Sequence, residues 1–306
     1  MRPVERFLKR PKSFWASVRS LSQHIGYSKG NKIITPTFLQ MLGAFDDLGL
    51  DKSKLRLDGK QTQFATELID YFSERARLLM NEVEPRLMDV DRASKLFRRL
   101  RNELNPKCPI PMNKQKGNKK AEAFLTGIIN MLIEKNAGGE TCDYDPRELT
   151  TITRDGAPLR TLARRVDGAF PSAINPVAVW EIKEYYYTTT FGSRVADGVY
   201  ESLLDGMELE ELREHEHIDV RHYLMVDAHF TWWICGKAYL CRLVDMLHMG
   251  YVDEVLFGEE VVDELPRIVS DWVRLAQRRG TNSLPEDRDE MHKKNLLTRS
   301  GESNND

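Results

Sequence analysis

Asp167, Glu181 and Lys183 are the residues whose types and spacing bear most directly on chemistry. Glu181 and Lys183 stand two positions apart in Val177-Ala178-Val179-Trp180-Glu181-Ile182-Lys183, a β-branched and aromatic run that predicts a strand. Side chains alternate faces along a strand, so Glu181 and Lys183 share one face and Trp180 and Ile182 the other. A carboxylate and an ammonium inside an apolar strand are costly unless they have partners or open onto a solvated cleft. Asp167 precedes Glu181 by fourteen residues and is followed by Gly168. A chain that turns over residues 169–176 and returns antiparallel sets Asp167 beside Glu181. Two carboxylates and a lysine meeting this way suit phosphodiester hydrolysis. Carboxylate oxygens hold Mg²⁺ and leave coordination positions for water and phosphate. The metal polarises the phosphate and acidifies a bound water. A nearby ammonium assists deprotonation of that water or offsets negative charge developing on the phosphate.

The elements that must position these residues fall into two parts. Residues 12–105 read as mostly helical. Trp15, Val18, Leu21 and Ile25 recur at helical spacing, and Phe64, Leu68, Phe72 and Leu79 continue an amphipathic face. A further helix spans residues 89–104, with Leu96, Phe97, Leu100 and Leu104 inward. Pro106, Pro109 and Pro111 then break the pattern, which puts the expected boundary at residues 105–113. Beyond it the sequence predicts a helix over 119–135, strands over 149–153, 162–167 and 177–183, and a helix over 194–214. Strands over 220–226 and 231–235 and helices over 237–249 and 262–278 complete the series. That order describes an α/β (α+β) fold, a mixed sheet flanked by helices behind an N-terminal helical domain. From about Thr281 the chain is polar and poor in aliphatics, and a disordered tail over 281–306 is expected.

Composition narrows the class. Hydrophobic residues make up 41% and charged residues 30%, and no run reaches the length of a membrane span. The basic N-terminus lacks the apolar run of a secretory signal, and the four cysteines form no C-x-x-C pair. A cytoplasmic protein with reduced thiols and no membrane association is expected. Residues 1–120 carry 25 Lys and Arg against 13 Asp and Glu, although the whole chain is only −2. Such a split points the first part at a polyanion and leaves carboxylates for other duties in the second.

The pattern Val166-Asp167-Gly168 followed by Trp180-Glu181-Ile182-Lys183 resembles the PD-(D/E)XK nuclease superfamily, the fold of many type II restriction endonucleases. The resemblance covers roughly residues 115–245, with Val166 standing where the family usually has proline. It implies a restriction-endonuclease-like core over 111–280, with Asp167 and Glu181 as metal ligands and Lys183 as the catalytic lysine. Glu122, on the first core helix, would support the metal. It further implies Mg²⁺ as cofactor, with Mn²⁺ substituting and no organic cofactor, double-stranded DNA as substrate, and a homodimer that cuts two strands.

Residues 1–110 would then serve DNA recognition or dimerisation, and residues 14–45 could form a helix-turn-helix-like unit around Gly26-Tyr27-Ser28-Lys29-Gly30. Lys114, Lys116, Lys119 and Lys120 form a basic cluster suited to phosphate contact or to a solvated loop. Arg194 either touches a phosphate or pairs with Asp197 one helical turn on. His215, His217, His222 and His229 fit no standard zinc spacing. Two other functions stay open: a DNA-binding regulator that does not cut, and a repair or phage-defence nuclease of low specificity, acting on DNA or RNA.

Overall fold

The computed structural model describes residues 1–115, 118–187 and 193–282, without the side chains of 113–115, 118–120, 193–194 and 280–282. The expected tail beyond residue 282 lies outside the described residues.

The N-terminal part is helical, as its periodicity predicts. It comprises α1 (Glu5–Leu8), α2 (Lys12–Ile25), a small hairpin of β1 (Ser28–Lys29) and β2 (Lys32–Ile33), and α3 (Phe38–Asp47). A second small hairpin, β3 (Arg56–Leu57) and β4 (Lys60–Gln61), leads into α4 (Gln63–Leu78). Thr37 and Thr62 cap α3 and α4 through their side chains. Phe7, Phe14, Trp15, Leu21, Leu68 and Phe72 share one core, with Tyr71 at its centre in edge contact with Phe7, Phe14 and Trp15. Between α2 and α3 the chain forms the β1–β2 hairpin, where a helix-turn-helix would have a short turn.

The helix α5 (Val90–Leu104) starts at an Asp89 cap and stops at Asn105, whose left-handed backbone ends it. It packs on α6 (Phe124–Asn136) through Phe97 and Leu100, so the packing groups α5 with the sheet that follows. Between them lies a hairpin of β5 (Met112–Gln115) and β6 (Asn118–Glu122). The helix expected from residue 119 therefore begins at Phe124, with residues 118–122 extended.

The central sheet has the order β12-β11-β10-β9. β9 (Gly168–Phe170) is antiparallel to β10 (Ala178–Glu184), which runs parallel to β11 (Arg221–Asp227), and β11 runs parallel to β12 (Glu254–Phe257). α7 (Ser193–Glu216) joins β10 to β11, and α8 (Lys237–His248) joins β11 to β12. α9 (Glu260–Asn282) ends the described chain. A separate hairpin, β7 (Thr151–Arg154) and β8 (Ala157–Thr161), precedes β9. One sheet face buries Trp180, Tyr223, Met225 and Leu256 against α5, α6 and α9; the other buries Leu224, Val226, Val255 and Phe257 against α8. The molecule is thus a mixed α+β fold with helices on both faces of its main sheet.

Two expected strands are absent. Residues 162–167 form the link between β8 and β9, because the pairing partner of β10 begins only at Gly168. Residues 231–235 lie in a wide helical turn, Phe230–Cys235, with Trp232 and Trp233 fully buried. An apolar run of five residues does not by itself separate a strand from a buried helical turn.

Candidate active site

The motif strand β10 is fixed from both sides. Its Glu184 points away from Glu181 and Lys183 and caps α6, accepting from Phe124 N at 2.9 Å and Thr126 N at 3.0 Å. Its Trp180 stacks on Trp272 at 5.1 Å and lies against Gly168, where an added Cβ would fall 2.1 Å from the indole. Only a glycine therefore lets β9 approach β10 at this point. The approach carries Asp167 to Glu181: Asp167 N donates to Trp180 O at 3.1 Å and to Glu181 Oε1 at 3.2 Å. Ile182 N donates in return to Asp167 Oδ2 at 2.7 Å. The three residues singled out by sequence are brought together.

Glu181 is fully buried, and its lone pairs are taken by the chain's own donors. Lys183 Nζ lies 2.8 Å from Oε2, and Arg164 spans the carboxylate at 2.8 Å from Oε1 and 3.1 Å from Oε2. Two carboxylates of α7 close the group. Asp205 Oδ2 holds Arg164 at 2.6 Å, and Glu201 Oε2 lies 3.0 Å from Lys183 Nζ. α7 can come this near because Gly198 faces Lys183, where a Cβ would stand 3.1 Å from the lysine Cδ. Arg164, Glu201 and Asp205 are not among the site residues that the sequence singles out. The available signal was the four-residue spacing of Asp197, Glu201 and Asp205, one face of a helix.

Four carboxylates (Asp167, Glu181, Glu201, Asp205) thus meet two cations (Lys183, Arg164). The imbalance shows in the titration of the acids. Crowding by surrounding protein, then the Glu181 charge, pushes the Asp167 carboxyl up to about 6, even though the residue keeps an exposed edge. Burial pushes Asp205 up to about 7, with Glu181 adding and Arg164 opposing; its Oδ1 has no hydrogen-bond partner. For Glu181 burial works upward, but Lys183 and Arg164 outweigh it and hold the carboxyl below its usual range. Burial works against the Lys183 charge, yet Glu181 and Asp167 prevail and its pKa is raised. Lys183 is therefore a firmly protonated ammonium.

Among the described residues no group of three or more His, Cys, Asp and Glu is arranged to hold a metal ion. The pair Asp167 and Glu181 is nevertheless chemically suited to Mg²⁺, which is commonly bound through one or two carboxylates with water and phosphate completing its shell. The donors are hard oxygens, Asp167 stands at the open edge, and the group lacks two positive charges. Glu181 would exchange its Arg164 contact for the ion.

The other sequence candidates stand apart. Glu122 ends β6, not the first core helix, and its carboxylate is ion-paired with Arg101 of α5. Lys116 lies outside the described residues, as do the side chains of Lys114, Lys119, Lys120 and Arg194; the backbone puts Lys114 opposite Lys119 in the β5–β6 hairpin. His222 is buried in β11, its Nδ1 against Tyr251 O at 2.9 Å. Among the described residues no helix is long and apolar enough to cross a membrane.

No curated protein and no solved structure matches the chain. Residues 1–82 match the model of a domain of unknown function (DUF7690). Residues 88–272 match the model of a second domain of unknown function (DUF7687), and the chain belongs to that family.

Proposed function

We propose that this chain is a Mg²⁺-dependent endonuclease acting on double-stranded DNA, most like a type II restriction endonuclease. The observation that carries the reading is the convergence of Asp167, Glu181 and Lys183 across the β9–β10 pair, with Lys183 Nζ 2.8 Å from Glu181. Its resemblance to a PD-(D/E)XK core is supported by the order of elements: an antiparallel strand that begins directly after Asp167, the motif strand, a helix and a parallel strand.

Asp167 and Glu181 would hold Mg²⁺, which supplies Lewis-acid polarisation of the phosphate and an acidified water. The chain's residues do the rest. Asp167 is steadied by the Ile182 amide, so its carboxylate points to one place at the open edge. Lys183, held protonated, offsets charge growing on the phosphate oxygens and does not act as a base. Arg164, 23% exposed, can turn from Glu181 toward a phosphate, for which its planar fork is suited. The basic N-terminal part would lie along the duplex, and two copies would cut two strands.

The test is incubation of plasmid DNA with Mg²⁺ or Mn²⁺, with EDTA as control. Nicking or cutting is expected, and end-sequencing of fragments separates a specific enzyme from a degradative one. One observation favours a second reading: the chain's own donors already occupy both oxygens of Glu181. On that reading the group is a structural ion cluster and the protein binds DNA without cutting it. Salt-sensitive binding with no scission in either metal would select it.

A further inference from the structure

A cavity of about 340 Å³ opens between α2, α7 and α8, where the two family-matched stretches meet. Its distinguishing feature is Arg242. The fully buried Arg75 and the partly buried Arg164, Arg221 and Arg267 each hold a carboxylate, and Arg279, which holds none, donates to the backbone carbonyls of Pro176 and Asp219. Arg242 has no carboxylate among the described residues. Its Nε donates to Tyr27 Oη at 3.3 Å and its Nη1 to Tyr200 Oη at 3.1 Å. The guanidinium lies 5.1 Å from the Tyr27 ring and 5.0 Å from the Tyr239 ring. Tyrosines thus fix the direction of this charge without cancelling it.

The other charges at the cavity leave it positive. Arg19 stands at its rim and, among the described residues, has only the Met249 sulfur, at 3.4 Å, as hydrogen-bond partner. Asp245 also reaches the lining, but its carboxylate is matched by the fully buried Arg75 at 3.0 Å and accepts from Tyr71. The Arg75–Asp245 pair is neutral, so it leaves the charges of Arg242 and Arg19 uncompensated at the cavity. Away from the arginines the wall is apolar, with Leu203 and Met246, and Tyr200 is 53% exposed.

We propose that this cavity binds a nucleoside phosphate, with its phosphate on Arg242 and Arg19 and its base against Tyr200, Leu203 and Met246. An anion supplies the counter-charge that Arg242 lacks, and a planar base is the group that an exposed aromatic ring beside an apolar wall accepts by stacking. The volume is in the range of small-ligand sites. Tyr200 and Leu203 lie on the side of α7 opposite Glu201 and Asp205, so an occupant would rest on the helix that closes the Lys183 group.

Calorimetry on the full chain in EDTA, with AMP, GMP, adenosine and orthophosphate, tests the site apart from any metal-dependent cleavage. A nucleotide is expected to bind about tenfold or more tightly than adenosine or orthophosphate, since each of those fills only half the site. Arg242→Gln should weaken nucleotide binding about tenfold or more, the effect of one charge-assisted contact. Arg19→Ala, at the exposed rim and harmless to folding, should weaken it by about threefold or more. Absence of nucleotide binding at millimolar concentration, orthophosphate binding as tightly as AMP and GMP, or wild-type affinity in the Arg19 variant would each overturn the proposal.

Discussion

At the scale of single residues, the site rests on a charge imbalance that protons or a divalent ion can relieve. An acid whose folded pKa is raised takes up a proton on folding, so the stability this gives is present at low pH and lost as pH rises through the folded pKa. With Asp167 at about 6 and Asp205 at about 7, the window runs from about 4 to about 7. Asp227, pushed up to about 7 chiefly by burial, adds in the same direction. Buried His222 and His248, whose pKa values burial lowers, pull the other way below about 6.5. The carboxylates are therefore read by difference: the metal-free Asp205→Asn variant should gain stability over wild type as pH rises from about 5 to about 8, and Mg²⁺ should stabilise wild type more at the higher pH. A difference between Asp205→Asn and wild type that stays constant with pH would refute this account of the carboxylates. Arg164 competes with the ion for Glu181, so Arg164→Ala should melt lower without metal and gain more from Mg²⁺ than wild type. An equal Mg²⁺ shift in both would remove Arg164 from that role. Glu181 and Lys183 were legible in sequence because strand alternation alone puts them on one face. Arg164 and Asp205 were not, since Arg164 reaches Glu181 from the link before β9 and Asp205 reaches Arg164 from α7, a meeting set by the tertiary path of the chain.

At the scale of elements, the β9–β10 pairing decides whether Asp167 reaches Glu181 at all. It depends on Gly168, whose replacement by alanine would drive a methyl into the buried Trp180. Overpacking of this kind costs about 1–3 kcal/mol. Gly168→Ala should lower the melting temperature and, by pushing β9 from β10, reduce cleavage more than DNA binding. Wild-type stability in this variant would contradict the described pairing. Long periodic segments such as α4, α5 and α9 could be read from sequence, and β10 from its composition. The short pieces could not: residues 118–122 look like the start of α6, and the helical turn at Thr231–Cys235 looks like a strand. Pairing partners and burial, which lie elsewhere in the chain, decide such segments.

At the scale of the whole molecule, charge is divided much as the proposed work is. The basic first part shares its core contacts with α8 through Tyr71 and Arg75, both held by Asp245. It is therefore anchored to the body that carries the Lys183 group. If this part contacts a duplex, affinity should fall steeply between about 50 mM and 200 mM salt while a fixed binding stoichiometry is kept. Salt-independent binding would contradict that placement. The central claim is that Lys183 and its carboxylates form a metal-dependent phosphodiesterase site. Plasmid cleavage in Mg²⁺ by wild type and Lys183→Ala, each assayed alongside DNA binding, tests it most directly. The account predicts cutting by wild type that EDTA stops, with a loss of about a hundredfold or more in the variant at unchanged DNA affinity. Cutting retained in Lys183→Ala, or no cutting by wild type in Mg²⁺ or Mn²⁺, would contradict it.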